Sequence, residues 1–182
     1  PDLRIVNLET SITVSGDAWE DKGVHYRMHP ANTPVLSIAR IDGVTMANNH
    51  TLDWGYEGFE ETLSSLEKAG ISFAGAGRNI REAAAPIVFT VRGRRVLVFG
   101  IGMRGSGIPR EWEATGKRPG VFLLEDFSEK SLLKVQKAVL QTARKDDLVI
   151  ASIHLGGNWG YEVSQRQRDF AHSLIDDCRV DL

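Results

Sequence analysis

The sequence predicts an α/β fold in which a largely parallel sheet is flanked by helices. Three observations support this prediction: strand-like apolar runs alternate with amphipathic helical patterns, glycine or proline separates most of them, and polar clusters follow several strands. Such alternation is typical of parallel sheets with right-handed connections. Ligands of these sheets bind beyond the carboxyl ends of the strands, so we expect a functional site at that edge.

The first strand is predicted at residues 3–6 and gives way to the polar sequence Asn7-Leu8-Glu9-Thr10. Residues 15–29 lack periodicity, which is typical of a surface loop. His25 and His29 lie four residues apart within it and could bind a metal, but no carboxylate accompanies them at helical spacing. We therefore favour the loop over a metal site here.

Two helices and the second strand are predicted next. The first helix follows Asn32-Thr33-Pro34, where a capping amide precedes a proline suited to the first turn. The second strand covers residues 43–47, and a longer helix begins after Gly55 and ends at Gly70. The predicted core faces are Val35, Leu36, Ile38 and Ala39 in the first helix, and Phe59, Leu63, Leu66 and Ala69 in the second.

The third strand is predicted at residues 71–73. Gly75 and Gly77 follow it and resemble part of a nucleotide-binding fingerprint, but the third glycine is absent and the next helix is short. We interpret them as a tight turn. Asn79 and Glu82 would then cap the short helix.

Residues 87–91 and 95–101 are predicted to form a hairpin around Arg92-Gly93-Arg94. The glycine-rich stretch 103–120 is interpreted as a loop. Its cationic residues could contact an anionic substrate, although a solvated surface loop is the more common outcome. These residues are Arg104, Arg110, Lys117 and Arg118.

The last third of the chain is predicted to be helix, strand and helix. Ser128 opens a helix to Ala143, and residues 148–153 form a near-continuous apolar run, which is typical of a strand covered on both faces. Ser164 and Gln167 would form a capping box for the last helix. The predicted core faces are Leu132, Leu133, Val135, Val139 and Leu140, then Phe170, Ala171, Leu174 and Ile175.

Composition limits the possible functions. The chain has 182 residues, the size of one domain, and its net charge of -2 argues against a polybasic surface for nucleic acid or an anionic membrane. Cys178 is the one cysteine, which excludes an internal disulfide and a cysteine-rich zinc site. Its place among apolar residues of a predicted helix indicates a small buried side chain. No run of 18 apolar residues predicts a membrane segment. Because the chain starts without methionine and ends where another strand would begin, we interpret it as an internal fragment.

The stretch 44–55 is the most informative part of the sequence. A short apolar run ends in Asn48, Asn49, His50 and, three residues later, Asp53. The simpler alternative is a turn in which the two amides and Asp53 cap the following helix and His50 is merely exposed. A turn needs only one or two such residues and does not require the histidine. The cluster as a whole therefore favours a functional site.

Polar residues from three strands should converge at one edge of the sheet. Asn7 and Glu9 follow the first strand, Asn49 and His50 follow the second, and His154 follows the strand at 148–153. A carboxylate, an amide oxygen and an imidazole together suit a divalent ion such as manganese, iron or zinc. For His154 alone, a hydrogen-bonded histidine at a strand end is an equal alternative.

These residues also carry a resemblance to a known family. The chain resembles the CapA family of poly-γ-glutamate capsule synthesis, whose domain is similar to the calcineurin-like metallophosphoesterases. The resemblance runs nearly end to end, and the Asn-Asn-His block is its most specific element. The matching segments are residues 7–10, 47–55, 75–79 and 154–162, with Gln167-Arg168 after them.

The resemblance implies a metallophosphoesterase-like layered sandwich, here a single incomplete domain over residues 1–182, truncated at both ends. It implies that Asn49 and His154 bind metal, that His50 protonates a leaving alkoxide, and that Glu9 bridges two metals. Whether Asn7 or Glu9 reaches the metal stays open. Residues implied to support the site or contact substrate are Asn48, Asp53, Gly156 and Glu162.

The chain departs from the family pattern in two places. The family has an earlier strand that ends in Gly-Asp and a later segment resembling Gly-His-x-x-His, and neither occurs here. We therefore expect this fragment to bind metal weakly or not at all.

Two functions remain open from the sequence. The first is a two-metal phosphoester hydrolase, and the second is a non-catalytic accessory protein of poly-γ-glutamate synthesis or export that binds an anionic polymer. The resemblance allows either a membrane-anchored extracellular parent protein or a cytoplasmic one.

Overall fold

Two stacked sheets lie at the centre of the computed structural model, which describes residues 1–157 and 159–182. The strands are β1 (Ile5–Asn7), β2 (Ser11–Ile12), β3 (Arg27–Met28), β4 (Gly43–Thr45), β5 (Ser72–Ala74), β6 (Ala76–Gly77), β7 (Ile87–Val91), β8 (Arg94–Met103), β9 (Gly120–Val121), β10 (Leu123–Leu124) and β11 (Leu148–His154). The α-helices are α1 (Pro34–Ile38), α2 (Gly55–Lys68), α3 (Ile80–Ala83), α4 (Glu129–Thr142) and α5 (Gln165–Cys178). Short 3-10 turns cover Pro30–Asn32, Arg104–Ser106 and Arg110–Trp112.

The first sheet has the order β1-β4-β5 and is entirely parallel, with Val44 opposite both Val6 and Phe73. The second has the order β10-β8-β11, also parallel, and β7 joins β8 in antiparallel orientation. This arrangement confirms the prediction of mostly parallel strands with one hairpin. The hairpin loop is the two-residue Arg92-Gly93, and both residues have positive φ, as a tight hairpin with right-handed twist requires.

The side chains of β8 alternate between two apolar cores. Val96 and Val98 face the first sheet and pack with Ala74 and Ile87. Leu97 and Phe99 face the other way, toward α4 and α5. On the outer face of the first sheet, α2 buries Phe59, Leu63 and Leu66. The order of layers is therefore helix, sheet, sheet, helix, and it explains why the β8 sequence is apolar without interruption.

The two sheets approach closely at Gly100. A Cβ at this position would lie 2.7 Å from the carbonyl oxygen of Ala74 in the facing sheet. Further along, the hydroxyls of Thr45 in β4 and Ser152 in β11 hydrogen-bond across the gap at 3.1 Å. These contacts bring the carboxyl ends of β1, β4 and β11 to one rim of the sandwich.

Several local predictions are confirmed. Gly70 adopts a left-handed conformation directly after α2, and Asn79 accepts hydrogen bonds from the first turn of α3. Ser164 and Gln167 form the capping box of α5. Cys178 is buried, and that burial raises the pKa of its thiol.

Other local predictions were wrong. Asn32 does not cap α1, because Thr33 occupies the cap position, and Ile38 is 81% exposed since the five-residue helix buries only Leu36. In α4 the buried stripe runs through Ser131, Val135, Ala138 and Val139, whereas Leu133 and Leu140 are exposed. Small side chains at 131 and 138 let the helix approach its neighbours closely, and the larger leucines face outward. In α5, Phe170 and Leu174 are buried as predicted, whereas Ala171 and Ile175 lie on the outward side of the helix and are exposed.

Two expectations about strands need correction. The loop predicted over residues 15–29 contains β3, which pairs in parallel with β2. The strand β11 is less covered than its apolar sequence predicts, since most of its residues are only half-buried and Val149 alone is fully buried. The backbone of Asp181 hydrogen-bonds to Val149, and that of Leu182 to Val149 and Ala151.

Candidate functional site at the carboxyl ends of the strands

The predicted site residues come together at the rim where β1, β4 and β11 end. Asn7 is the last residue of β1, His154 is the last residue of β11, and the turn 48–53 follows β4. Asn7 and His154 both line a cavity of about 90 Å³ that opens between the sheet ends. The topology thus places residues more than a hundred positions apart in the sequence side by side.

Hydrogen bonds connect these side chains directly. Oδ1 of Asn49 lies 3.2 Å from Nε2 of His154. Asn48 donates to Oδ1 of Asn7 at 2.9 Å, and Asn7 donates to Oε2 of Glu9 at 2.8 Å. The fully buried Asn48 also donates to the Leu8 carbonyl and accepts from the His50 N–H, so its amide ties the turn after β4 to the end of β1.

His50 and Asp53 form a buried pair beside this cluster. Nδ1 of His50 lies 2.6 Å from Oδ2 of Asp53, and the two residues are 6% and 0% exposed. The carboxylate does not cap α2, because the cap position belongs to Trp54 and has no side-chain hydrogen bond. Neither part of the simpler turn alternative therefore describes this pair: Asp53 is not a helix cap and His50 is not exposed.

Two residues of the site were missed by the sequence reasoning. Lys22 forms an ion pair with Asp53, and its Nζ lies 3.2 Å from Nδ1 of His50. Tyr26 stacks its ring on the His50 imidazole with centroids 4.0 Å apart and donates its backbone N–H to Asp53 at 2.7 Å. Both belong to the stretch that lacks periodicity, and no local pattern marks them. Only the fold brings them to His50.

The surroundings of His154 favour its neutral form. Burial lowers the pKa of His154 below its ordinary value, and the positive charge of a protonated His50 would act in the same direction. The Glu9 carboxylate opposes this shift. The neutral imidazole is the form that coordinates metal ions.

The remaining predicted residues lie along the segment after β11. Gly156 has a φ of 91°, in the left-handed region, and turns the chain directly after His154 and Leu155. Glu162 is exposed, and no hydrogen bond among the described residues connects it to the cluster. Asn158, within the segment that carries the resemblance, lies outside the described residues.

The donor types at the rim suit a divalent ion, but their number is small. The 3.2 Å between Oδ1 of Asn49 and Nε2 of His154 is the spacing of two neighbouring ligands on one ion, given metal–ligand bonds of about 2.0–2.2 Å. Glu9 adds a carboxylate nearby. Among the described residues, no group of three or more His, Cys, Asp or Glu side chains is close enough to hold an ion. The described residues thus do not form a complete metal site, and Asn49 and His154 are the side chains at the rim that could supply ligands to one.

A second cavity adjoins the site and is acidic. It measures about 730 Å³ and includes Lys22, whose charge is paired with Asp53, and Gly107, which lies next to the Asn49 side chain. Four carboxylates and the Trp19 indole contribute to its wall. The carboxylates belong to Asp17, Glu20, Asp21 and Glu111.

A family model described as "Bacterial capsule synthesis protein PGA_cap" matches residues 1–182. The chain belongs to this family. The PGA_cap family lies in the metallophosphoesterase superfamily, and the layered α/β sandwich with parallel sheets is consistent with that fold. The resemblance seen in the sequence is thereby confirmed at the level of the family.

Curated relatives carry names from capsule and polyglutamate synthesis. A probable polyglutamine synthesis accessory protein of Mycobacterium tuberculosis is 41% identical over 177 residues, covering 96% of this chain and 47% of the relative. The capsule biosynthesis protein CapA of Bacillus anthracis is 25% identical over 156 residues, covering 86% of this chain and 37% of the relative. The PGA biosynthesis protein CapA of Bacillus subtilis is 25% identical and covers 93% and 43%. The PGA_cap chain thus spans less than half the length of these relatives.

None of the helices among the described residues combines the length and the apolar character that a transmembrane helix needs.

Proposed function

We propose that this PGA_cap chain carries part of a metal-dependent phosphoester hydrolase site within a protein of capsule polyglutamate synthesis. The observation that carries the proposal is the buried His50–Asp53 pair beside the Asn49–His154 contact. Such a hydrolase needs two elements. One is a general acid whose position is fixed by a carboxylate, and the other is a set of oxygen and nitrogen donors that can bind metal.

His50 is the proposed general acid. Because Nδ1 is engaged by Asp53 and lies beside Lys22, Nε2 is the nitrogen left to exchange a proton with a leaving oxygen. Proton transfer of this kind contributes roughly a hundred- to ten-thousandfold to a rate. The stacked Tyr26 ring limits rotation of the imidazole and so maintains its orientation.

Asn49 and His154 are the proposed metal ligands, with Glu9 or Asn7 as a third. The divalent ions would polarise the phosphoryl oxygens and stabilise the charge that develops on them. We propose manganese, iron or zinc, with two ions in the complete protein and further ligands outside this chain. Asn48 supports the ligands by fixing the turn after β4 to β1.

A second candidate is a non-catalytic role in handling an anionic polymer during polyglutamate synthesis or export. Two observations favour it: the relatives bear names from that process, and the described residues offer only part of a metal site. The two candidates differ in whether His50 is needed for turnover.

The test is phosphodiesterase activity of the full-length protein. Wild type, His50→Ala and the control His172→Ala, an exposed histidine on α5, are assayed with manganese. Bis-(p-nitrophenyl) phosphate serves to detect turnover, and an unactivated alkyl phosphodiester, whose leaving alkoxide needs a proton, serves to compare the variants. We expect manganese-dependent turnover in wild type and in the control, and a loss of tenfold or more in His50→Ala. Absence of manganese-dependent turnover in wild type, or full activity of His50→Ala, would leave the polymer-handling candidate.

A further inference from the structure

A basic cavity lies at the end of the sandwich opposite the His50–His154 rim. It is formed where the β7–β8 hairpin meets the turn between α4 and β11, and its volume is about 630 Å³. Since β11 is seven residues long, this cavity lies about 20 Å from His154 at a rise of about 3.3 Å per residue. Its lining comprises Arg92, Gly93, Arg94, Arg95, Arg144, Lys145, Asp146 and Asp147.

Positive charge predominates in this lining, which has five cationic side chains and two carboxylates. Arg95 is paired with Asp147 at 2.9 Å, and Nε of Arg94 donates to the Asp146 carbonyl oxygen rather than to a carboxylate. Among the described residues, Arg94 and Lys145 have no salt bridge. Their charges therefore remain available to a ligand.

The rim of the cavity already shows how a carboxylate binds there. Asp2 places one carboxylate oxygen 3.1 Å from Nε and 2.8 Å from Nη2 of the exposed Arg92. The guanidinium group is suited to such contacts by its planar set of donors. Arginines on two adjacent turns can hold successive carboxylates of one chain.

The two ends of the molecule differ in charge. The cavity beside His50 has four carboxylates in its wall, and the one cation that the described residues place there, Lys22, is paired with Asp53. A polyanion is repelled there and attracted to the basic end. The net charge of -2 averages over both ends, which is why composition alone argued against a polybasic surface.

We propose that the basic cavity binds a polycarboxylate chain, independently of chemistry at His50. A polycarboxylate fits better than a membrane, because the surface forms a cavity and, within residues 1–157 and 159–182, no apolar side chain that could enter a bilayer lines it. The proposal goes beyond the hydrolase activity and does not depend on it. It separates the surface that holds a polymer from the rim that carries His50.

The test uses full-length protein and fluorescently labelled poly-γ-glutamate, with binding followed by anisotropy at about 50 and 300 mM NaCl. The variant is Arg94→Glu/Lys145→Glu. The matched control is Lys68→Glu/Lys130→Glu, which makes the same change in net charge at exposed positions on α2 and α4. We expect the variant to lose affinity about tenfold or more, the control to change less than threefold, and salt to weaken binding by wild type.

Thermal unfolding is measured for both variants as a control. A midpoint equal to that of wild type would show that the fold is retained. The proposal is overturned if wild type does not bind the polymer at low salt, or if the control loses as much affinity as the variant. It is also overturned if the variant binds the polymer normally but no longer binds phosphatidylglycerol vesicles, since the ligand would then be a membrane. We expect His50→Ala to bind the polymer like wild type, so failure of the hydrolase proposal is a separate outcome.

Discussion

The Asp53 carboxylate lies 2.6 Å from Nδ1 of His50, inside an enclosure that residues 22–26 complete. Lys22 forms an ion pair with the same carboxylate, and the backbone N–H of Tyr26 donates a hydrogen bond to it. One fully buried acid therefore connects the turn after β4 to a distant loop. A buried carboxylate in such a position can fix both the orientation of the imidazole and the nitrogen that carries the proton.

Replacing Asp53 tests whether its carboxylate orients His50. We expect Asp53→Asn in the full-length protein to lose turnover about ten- to a hundredfold, because His50 loses its charged partner. We also expect the free energy of unfolding to fall by about 2 kcal/mol or more, since Lys22 stays largely buried without its counter-charge. Asparagine serves as well as aspartate in a cap. Unchanged turnover and unchanged urea unfolding would contradict the orienting role.

Lys22 is expected to act through the same pair. Lys22→Met keeps the aliphatic stem but removes the ammonium group beside Nδ1 of His50. We expect turnover to fall several-fold with bound metal unchanged, and Lys22→Arg to retain more activity than Lys22→Met. Lys130→Met, at an exposed position on α4, is the control. Equal activity of Lys22→Met and the control would show that the loop only packs against His50.

Replacement of His154 and replacement of His50 are expected to have different effects on metal content and turnover. In the full-length protein, His154→Ala should lower bound metal and turnover together, and Asn49→Ala should behave like it, since these two side chains offer neighbouring donors. His50→Ala should leave metal content nearly normal. Its deficit should shrink with p-nitrophenolate as leaving group, because that group needs little protonation. Elemental analysis measures the metal content, and assays with an activated and an unactivated ester measure turnover. Equal metal loss in both histidine variants would contradict the assigned roles.

Glu61 is expected to make stability depend on pH. Its carboxylate accepts hydrogen bonds from the Thr13 hydroxyl and from the N–H groups of Val14 and Ser15, and these lower its pKa from 4.5 to about 2. A depressed pKa adds stability above the unfolded value, and this stability is lost as pH falls from about 4.5 toward 2. Glu61→Gln should therefore be less stable than wild type by about 1 kcal/mol above pH 5, after allowance for solvent screening, with a smaller difference near pH 2. Urea unfolding across this range measures it, and Glu20→Gln, at an exposed position outside the helices, should show no such trend.

Gly100 is expected to be intolerant of a side chain. A methyl group there would lie 2.7 Å from the Ala74 carbonyl oxygen, a backbone atom of the facing sheet that cannot move aside alone. We expect Gly100→Ala to lower the free energy of unfolding by about 2–3 kcal/mol, the cost of overpacking a core. Gly116→Ala, where a Cβ would meet nothing within 4 Å, should change it by less than 1 kcal/mol. Equal stability of the two variants would contradict the close approach of the sheets.

Features that depend on neighbouring residues were predictable from the sequence. Alternating periodicity predicted the parallel strands and the helices between them, and local chemistry predicted the Arg92-Gly93 turn and the capping box of Ser164 and Gln167. The rule that parallel strands share a carboxyl edge predicted that Asn49 and His154 would lie close together. The prediction assumed one sheet, whereas β4 and β11 belong to two stacked sheets whose carboxyl ends lie at the same rim.

Three features depend on the packing of distant elements and could not be predicted: the stacking of two sheets, the enclosure of His50 by Lys22 and Tyr26, and the difference in charge between the two ends of the molecule. Lys22 and Asp53 are 31 positions apart, and the loop that carries Lys22 has no periodicity from which its path could be predicted. Arg94 and Lys145 line the same cavity only because β8 and β11 are adjacent strands. A local pattern constrains backbone conformation over a few residues, whereas such contacts depend on how whole elements pack, and their free energy is realised only in the assembled fold.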